Sequence, residues 1–316
     1  MEGNPLIRNR YCYRRDQDGL AVQYRLIRQW RREHYDCSFH LRSGTRNELL
    51  AWLSGIPRRI GFNLKGSLQL LTEWIERPAQ THVRDIDLCL LRSLAHQQPI
   101  PVFPTELYPD PLSREELEAG LLQPLGILDA APETVSMDPF LDKSLDYNGT
   151  TGKNTSLAGY ILLHPTGKTV ADRGWNLEFW QTIISRISVQ FKIPILIIAS
   201  AQDRQIVADA FSFIPAERII SRSRIRDLMA LIGLSRFFMG NDSGPAHIAE
   251  ALGIPKLVIY PDDPENFARW APLQPDRCLA LRQSELNIEA SLDRIESFIS
   301  RYLTHHRSRH PVTPLE

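Results

Sequence analysis

The 316-residue sequence holds only four cysteines. Cys12, Cys37, Cys89 and Cys278 are scattered, with no CxxC pair and no histidine at zinc-ligand spacing. This excludes a disulfide framework and a cysteine-based zinc site, and the thiols suit a reducing cytoplasm. Long apolar runs are equally scarce: the longest, residues 193–201, is far short of the roughly 20 residues needed to span a bilayer. The amino terminus, Met-Glu-Gly-Asn-Pro, has no apolar signal core, so secretion is not expected. Charge of one sign is lacking too. Lysine plus arginine equals aspartate plus glutamate, 37 each, and no global field draws the chain to nucleic acid or to an acidic membrane. A P-loop, a GxSxG elbow and a metal-ligand cluster are also missing, which argues against a phosphate-ester-processing enzyme of doubly wound type.

What is present is an α/β alternation with 43% apolar residues, enough for two cores. Leu20, Tyr24, Ile27 and Trp30 recur at helical spacing between arginines. A strand over 35–41, a helix over 46–53 stopped by Gly55 and Pro57, a strand over 59–62 and a helix over 85–95 follow. Proline-rich text at 97–111 and a polar, glycine-bearing stretch at 142–159 then interrupt the pattern. We therefore divide the chain into an α/β domain at 1–96, a linking region at 97–158, a second α/β domain at 159–303 and a tail at 304–316. The tail carries three histidines and reads as a solvated end rather than a metal site. In the second domain, strands expected at 160–164, 194–199, 236–240, 256–260 and near 278–281 alternate with helices at 176–191, 203–213, 225–234, from 244, and 285–302. That alternation predicts a parallel, doubly wound sheet.

Three strand ends of this sheet gather polar groups. After the first comes His164-Pro165-Thr166-Gly167-Lys168, then Arg173-Gly174-Trp175 before a helix. Thr166 and Gly167 can offer a hydroxyl and backbone N–H groups, and Lys168 and Arg173 can offer charge to a diphosphate; a basic surface loop is the alternative. After the second, Asp203 is placed for ribose hydroxyls or for a helix N-cap. After the third comes Gly240-Asn241-Asp242-Ser243-Gly244-Pro245-Ala246-His247. Here Asp242 or Ser243 can cap a helix whose free N–H groups and dipole suit an anion, and His247, one turn in, is either a further donor or a structural histidine.

The runs Tyr160-Ile-Leu-Leu-His-Pro, Arg173-Gly-Trp, Gly240-Asn-Asp-Ser-Gly-Pro-Ala-His-Ile-Ala-Glu-Ala-Leu-Gly-Ile-Pro, Tyr260-Pro-Asp-Asp-Pro and Arg269-Trp-Ala-Pro resemble glycosyltransferase family 9. That family comprises the ADP-heptose:lipopolysaccharide heptosyltransferases and their relatives. In the first half Tyr35-Asp36, Ser43-Gly-Thr-Arg, Leu53-Ser-Gly-Ile-Pro and Arg59-Ile-Gly-Phe are similar to it as well. The resemblance implies a GT-B fold of two Rossmann-like domains, the second holding the nucleotide sugar, and an inverting, metal-independent transfer with no cofactor. The donor would be ADP-linked, and the sugar a heptose moved to a lipopolysaccharide-type glycan. It further implies a cytoplasmic protein, peripheral to the inner membrane where the acceptor is lipid-linked. Asp242, Ser243, Gly244 and His247 would hold diphosphate and sugar, and Thr166, Gly167 and Lys168 would meet phosphate. Arg173 stands where relatives have lysine and would neutralise the leaving group, while Asp203 stands where they have glutamate toward the ribose.

One part of the family pattern is not met. Relatives open with an apolar strand and a Gly-Asp turn whose carboxylate is thought to deprotonate the acceptor, whereas residues 1–19 hold only a short apolar pair. The first domain is therefore expected to be incomplete, with Leu26, Phe39, Leu49 and Leu50 uncovered. No catalytic base is assigned: Asp16 and Asp18 read as helix-entry residues, and His40 as a packing or acceptor-binding residue. The alternative function is a catalytically inactive nucleotide-sugar-binding or interaction protein.

Overall fold

A computed structural model describes residues 8–9, 11, 19–41, 45–63, 70–78, 81–92, 116–125, 127, 159–167, 177–221 and 224–303. Lys168 and Arg173, the first strand-end cations, lie outside these, as do Asp16, Asp18 and the 304–316 tail. The chain forms two compact units. The smaller comprises Pro5–Phe103 with Asp263–Ala271, and the larger comprises Met1–Asn4, Pro104–Asp262 and Pro272–Glu316.

In the smaller unit α1 (Leu20–Glu33), β1 (Cys37–His40), α2 (Thr45–Leu53), β2 (Arg58–Phe62), β3 (Glu73–Ile75) and α3 (Val83–Arg92) follow one another, and the three strands pair in parallel in the order β1-β2-β3. Helix α2 stops as expected: Gly55 takes φ 77°, which costs glycine nothing, and Ile56 N–H closes the turn on Ala51 O. Ile60, Phe62, Ile86 and Leu90 form the core, with Cys37, Phe39 and Ile75 packed against it. Leu26 and Leu50, expected uncovered, are buried instead. The reason is α1 packing on α2, fastened where the Arg31 guanidinium donates to Leu53 O at 3.0 and 2.7 Å, a cation at a helix carboxyl end.

The larger unit begins, among its described residues, with a short π-helical turn at Glu118–Leu122. Its elements are β4 (Ile161–His164), α4 (Leu177–Phe191), β5 (Ile195–Ile198), α5 (Arg204–Ala210), β6 (Ile219–Ile220), α6 (Ile225–Leu234), β7 (Phe237–Asn241), α7 (Gly244–Ala251), β8 (Lys256–Tyr260), β9 (Cys278–Arg282) and α9 (Ile288–Leu303). The segment between β8 and β9 leaves this unit, and its helix α8 (Pro264–Trp270) belongs to the smaller one. All neighbouring strands are parallel, in the order β6-β5-β4-β7-β8-β9. Read by rank within the unit, this is third, second, first, fourth, fifth, sixth, the dinucleotide-fold order. Such a sheet is covered on both faces, which explains why β4, β5, β7 and β8 are almost wholly apolar. Phe179, Trp180, Ile183, Ile184 and Ile187 of α4 and Leu292, Ile295 and Ile299 of α9 complete the core. Sequence periodicity found neither β6 nor β3, which are two and three residues long, nor α8.

Candidate active site

The order of strands places β4 between β5 and β7, so the chain departs to opposite sides of β4, and the carboxyl ends of these strands are where sheets of this order bind their ligands. Residues 164–166, 200–203 and 240–247, the three polar clusters, all lie there.

The β7 cluster begins with close contact between strands. Gly240 faces His164 in the ladder, and a Cβ on Gly240 would sit 2.5 Å from His164 O. Only glycine permits this approach. Asn241 then ties three elements together: its Nδ2 donates to Pro165 O at 2.7 Å, and its Oδ1 accepts Trp180 Nε1–H of α4 at 3.2 Å. Asp242 is buried; its backbone N–H donates to Ile259 O at 2.8 Å and its Oδ1 lies 3.5 Å from His247 Nε2. The imidazole of His247 keeps about a third of its surface exposed (32%) and is anchored by this carboxylate.

Ser243 occupies the N-cap position of α7 with extended backbone, but its side chain makes no capping bond. The expected hydroxyl cap is thus corrected: Ser243 Oγ lies 3.1 Å from His164 Nδ1. On the other side of the same ring, His164 Nε2 lies 3.4 Å from Oγ1 of Thr166, which is buried. Burial lowers the His164 pKa to about 4, opposed by Asp203, so at neutral pH the ring is uncharged. The backbone N–H groups of Ser243 and Gly244 have no acceptor among the described residues, and Pro245 follows at the start of the helix. Two free N–H groups, a helix amino terminus and two hydroxyls form a wall suited to an anion.

At the end of β5, Asp203 sits at the N-cap of α5 without capping it. Its Oδ2 accepts Ser200 Oγ–H at 2.7 Å and its N–H donates back to Ser200 Oγ at 3.1 Å. Arg204 turns away to the carbonyls of Ala216 and Ile219. Gly167 is half-buried, just after Thr166. In the smaller unit His40 is buried, with Nε2 3.0 Å from Ser38 Oγ; burial and then Arg59 lower its pKa.

Thus Thr166, Gly167, Asp203, Asp242, Ser243, Gly244 and His247 all stand at the carboxyl edge of one sheet, while Lys168 and Arg173 lie outside the described residues. His164 is the participant whose role sequence reasoning missed. The available signal was its position at the last residue of a buried strand, two before Thr166 and opposite a glycine.

The model of the family described as glycosyltransferase family 9 (heptosyltransferase) matches residues 128–294, more than half of the 316. The chain belongs to glycosyltransferase family 9. Among solved structures, a glycosyl transferase family 9 protein from Veillonella parvula is similar with a TM-score of 0.64 at 15% identity, covering 90% of this chain and 73% of that one. E. coli ADP-heptose lps heptosyltransferase II is similar with a TM-score of 0.64 at 14% identity, covering 89% of this chain and 82% of that one. For E. coli heptosyltransferase WaaC with ADP the score is 0.56 at 13% identity, with 89% and 79% covered. No curated protein matches the sequence. The family 9 fold of these neighbours is of GT-B type, with parallel α/β sheets, and the chain is a glycosyltransferase of heptosyltransferase type. No helix of the described residues is long and apolar enough to cross a membrane.

Proposed function

We propose that this family 9 chain moves a heptose from an ADP-linked donor to a lipopolysaccharide-type glycan, with inversion and without a metal or other cofactor. The observation that carries the reading is the anion-suited wall at the strand ends beside β4, where Ser243, Gly244 and Thr166 converge on the start of α7. A similar structure, WaaC, is known with ADP and with ADP-2-deoxy-2-fluoro heptose. In this reading the Ser243 and Gly244 N–H groups and the α7 dipole hold the diphosphate, with Asp242 setting the orientation of His247 toward it. Thr166 and Gly167 take a second phosphate contact through their backbone N–H groups, and Asp203 reaches the ribose. Charge grows on the diphosphate as the glycosidic bond breaks, and Lys168 and Arg173 supply fixed positive charge to stabilise it. The acceptor is a glycan carried on lipid, which brings the protein to the cytoplasmic face of the inner membrane.

Calorimetric titration of the full chain with ADP, UDP and GDP tests the donor half of the reading. ADP is expected to bind in the micromolar to low millimolar range, and absence of binding by all three removes the reading. A sugar-transfer assay with ADP-heptose separates the enzyme from a protein that binds nucleotide sugar without transferring it.

A further inference from the structure

We propose that His164 is the positioning residue of the donor site, with the ring nitrogens holding the Ser243 and Thr166 hydroxyls so that Ser243 presents its proton to the diphosphate. This rests on the donor reading above and adds a residue and a proton assignment to it.

The ring is fixed from several directions. Its own strand is pressed against Gly240, where a Cβ would collide with His164 O, so β4 and β7 meet there without slack. The next residue, Pro165, is held through its carbonyl by Asn241, itself held by Trp180. The imidazole therefore emerges between two hydroxyls, Ser243 Oγ at 3.1 Å and Thr166 Oγ1 at 3.4 Å.

An uncharged imidazole carries one N–H and one lone pair, so it treats the two hydroxyls differently. With the proton on Nδ1, the ring donates to Ser243 Oγ, and the Ser243 hydroxyl proton is left to turn toward an anion. Nε2 then accepts the Thr166 proton, and Thr166 offers only its oxygen. The opposite tautomer exchanges these roles. The proton is placed on Nδ1 because Ser243, unlike Thr166, adjoins the N–H groups of Ser243 and Gly244 that have no acceptor among the described residues. Three donors then converge on one anion: two backbone N–H groups and one hydroxyl.

Asparagine can place an amide N–H near the position of Nδ1, whereas glutamine reaches that of Nε2. His164→Ala, His164→Asn and His164→Gln in the full chain, titrated with ADP and followed by thermal melting, therefore make the test. His164→Ala is expected to weaken ADP about tenfold, the loss of one hydrogen bond to a charged group. His164→Asn should recover most of that loss and His164→Gln should not, at similar melting temperatures for the last two. ADP affinity unchanged in His164→Ala would overturn the proposal while leaving the donor site standing. Equal affinities for His164→Asn and His164→Gln would overturn it as well, since a role in folding alone does not distinguish the two nitrogens. Failure of the wild type to bind ADP, UDP or GDP would instead remove the donor reading, and this one with it. Ring-nitrogen chemical shifts of the unliganded chain give a second measurement: Nδ1–H is expected, and Nε2–H overturns the assignment.

Discussion

At the scale of single residues, the half-buried His164 makes stability depend on pH. The imidazole titrates near 6.5 when unfolded and is lowered to about 4 in the fold, so between these values the unfolded chain binds more protons than the folded one. The contribution is complete above about pH 6.5 and is lost as pH falls toward 4, at most roughly 3 kcal/mol. His40 shifts in the same direction and adds to the trend. Urea unfolding at pH 7 and pH 4.5 should therefore show a larger acid loss for the wild type than for His164→Gln; equal losses would locate the titrating groups elsewhere. Gly240→Ala, meeting a backbone oxygen that cannot step aside, should cost about 3 kcal/mol by thermal melting. For Arg173 the expectation concerns rate. If it stabilises charge that develops only as the diphosphate leaves, Arg173→Ala lowers kcat about a hundredfold and changes donor KM far less. Single-turnover and steady-state transfer assays would show the split.

At the scale of elements, α7 and β8 are joined by a buried ion pair. Lys256 Nζ lies 3.4 Å from Glu250 Oε2 and donates to Ala246 O at 3.2 Å, while Glu250 Oε1 accepts Leu273 N–H at 2.6 Å and Gln274 N–H at 3.2 Å. Lys256→Met leaves that carboxylate buried without its cation and should cost about 3–5 kcal/mol in urea unfolding, part of it returned in Lys256→Met with Glu250→Gln. Glu250 stands in a run that marked the family and Lys256 just past its end, yet nothing in their spacing disclosed a structural pair. Other elements were legible for clear reasons. Helix α6 and strand β8 match the expected 225–234 and 256–260 because periodicity and flanking breakers agree. Strand β6, at two residues, is too short for any period to show. Helix α8 was signalled by Asp263 before Pro264, and Asp263 Oδ1 does accept Glu265 N–H at 2.9 Å; the segment was read only as a family motif. Ser243 shows the opposite failure. Its position announced a cap, but local propensity cannot see a histidine 79 residues away in sequence competing for the hydroxyl.

At the scale of the whole molecule, the two units differ in how much apolar surface they bury. Among the described residues the larger holds a core running from Ile161 to Ile299 along one face of six strands, with Leu162, Leu196, Phe238 and Val258 buried on the other, whereas the smaller rests on three strands and the cluster of Ile60, Phe62, Ile86 and Leu90. Hydrogen exchange should follow this: amides of β4, β7 and β8, central and fully covered, should be the last to exchange, and those of β1 and β3 far earlier. Comparable protection in both sheets would contradict it. The assignment of Asp263–Ala271 to the smaller unit has a further consequence, for anyone dissecting the protein genetically. A nested series of carboxyl-terminal deletions treats a chain as beads threaded in order, and here one bead is out of order. Any stop codon placed between residues 104 and 264 removes α8 from the smaller unit while leaving everything up to Phe103 intact. Loss of a property in such a series would be mapped to the wrong half of the gene.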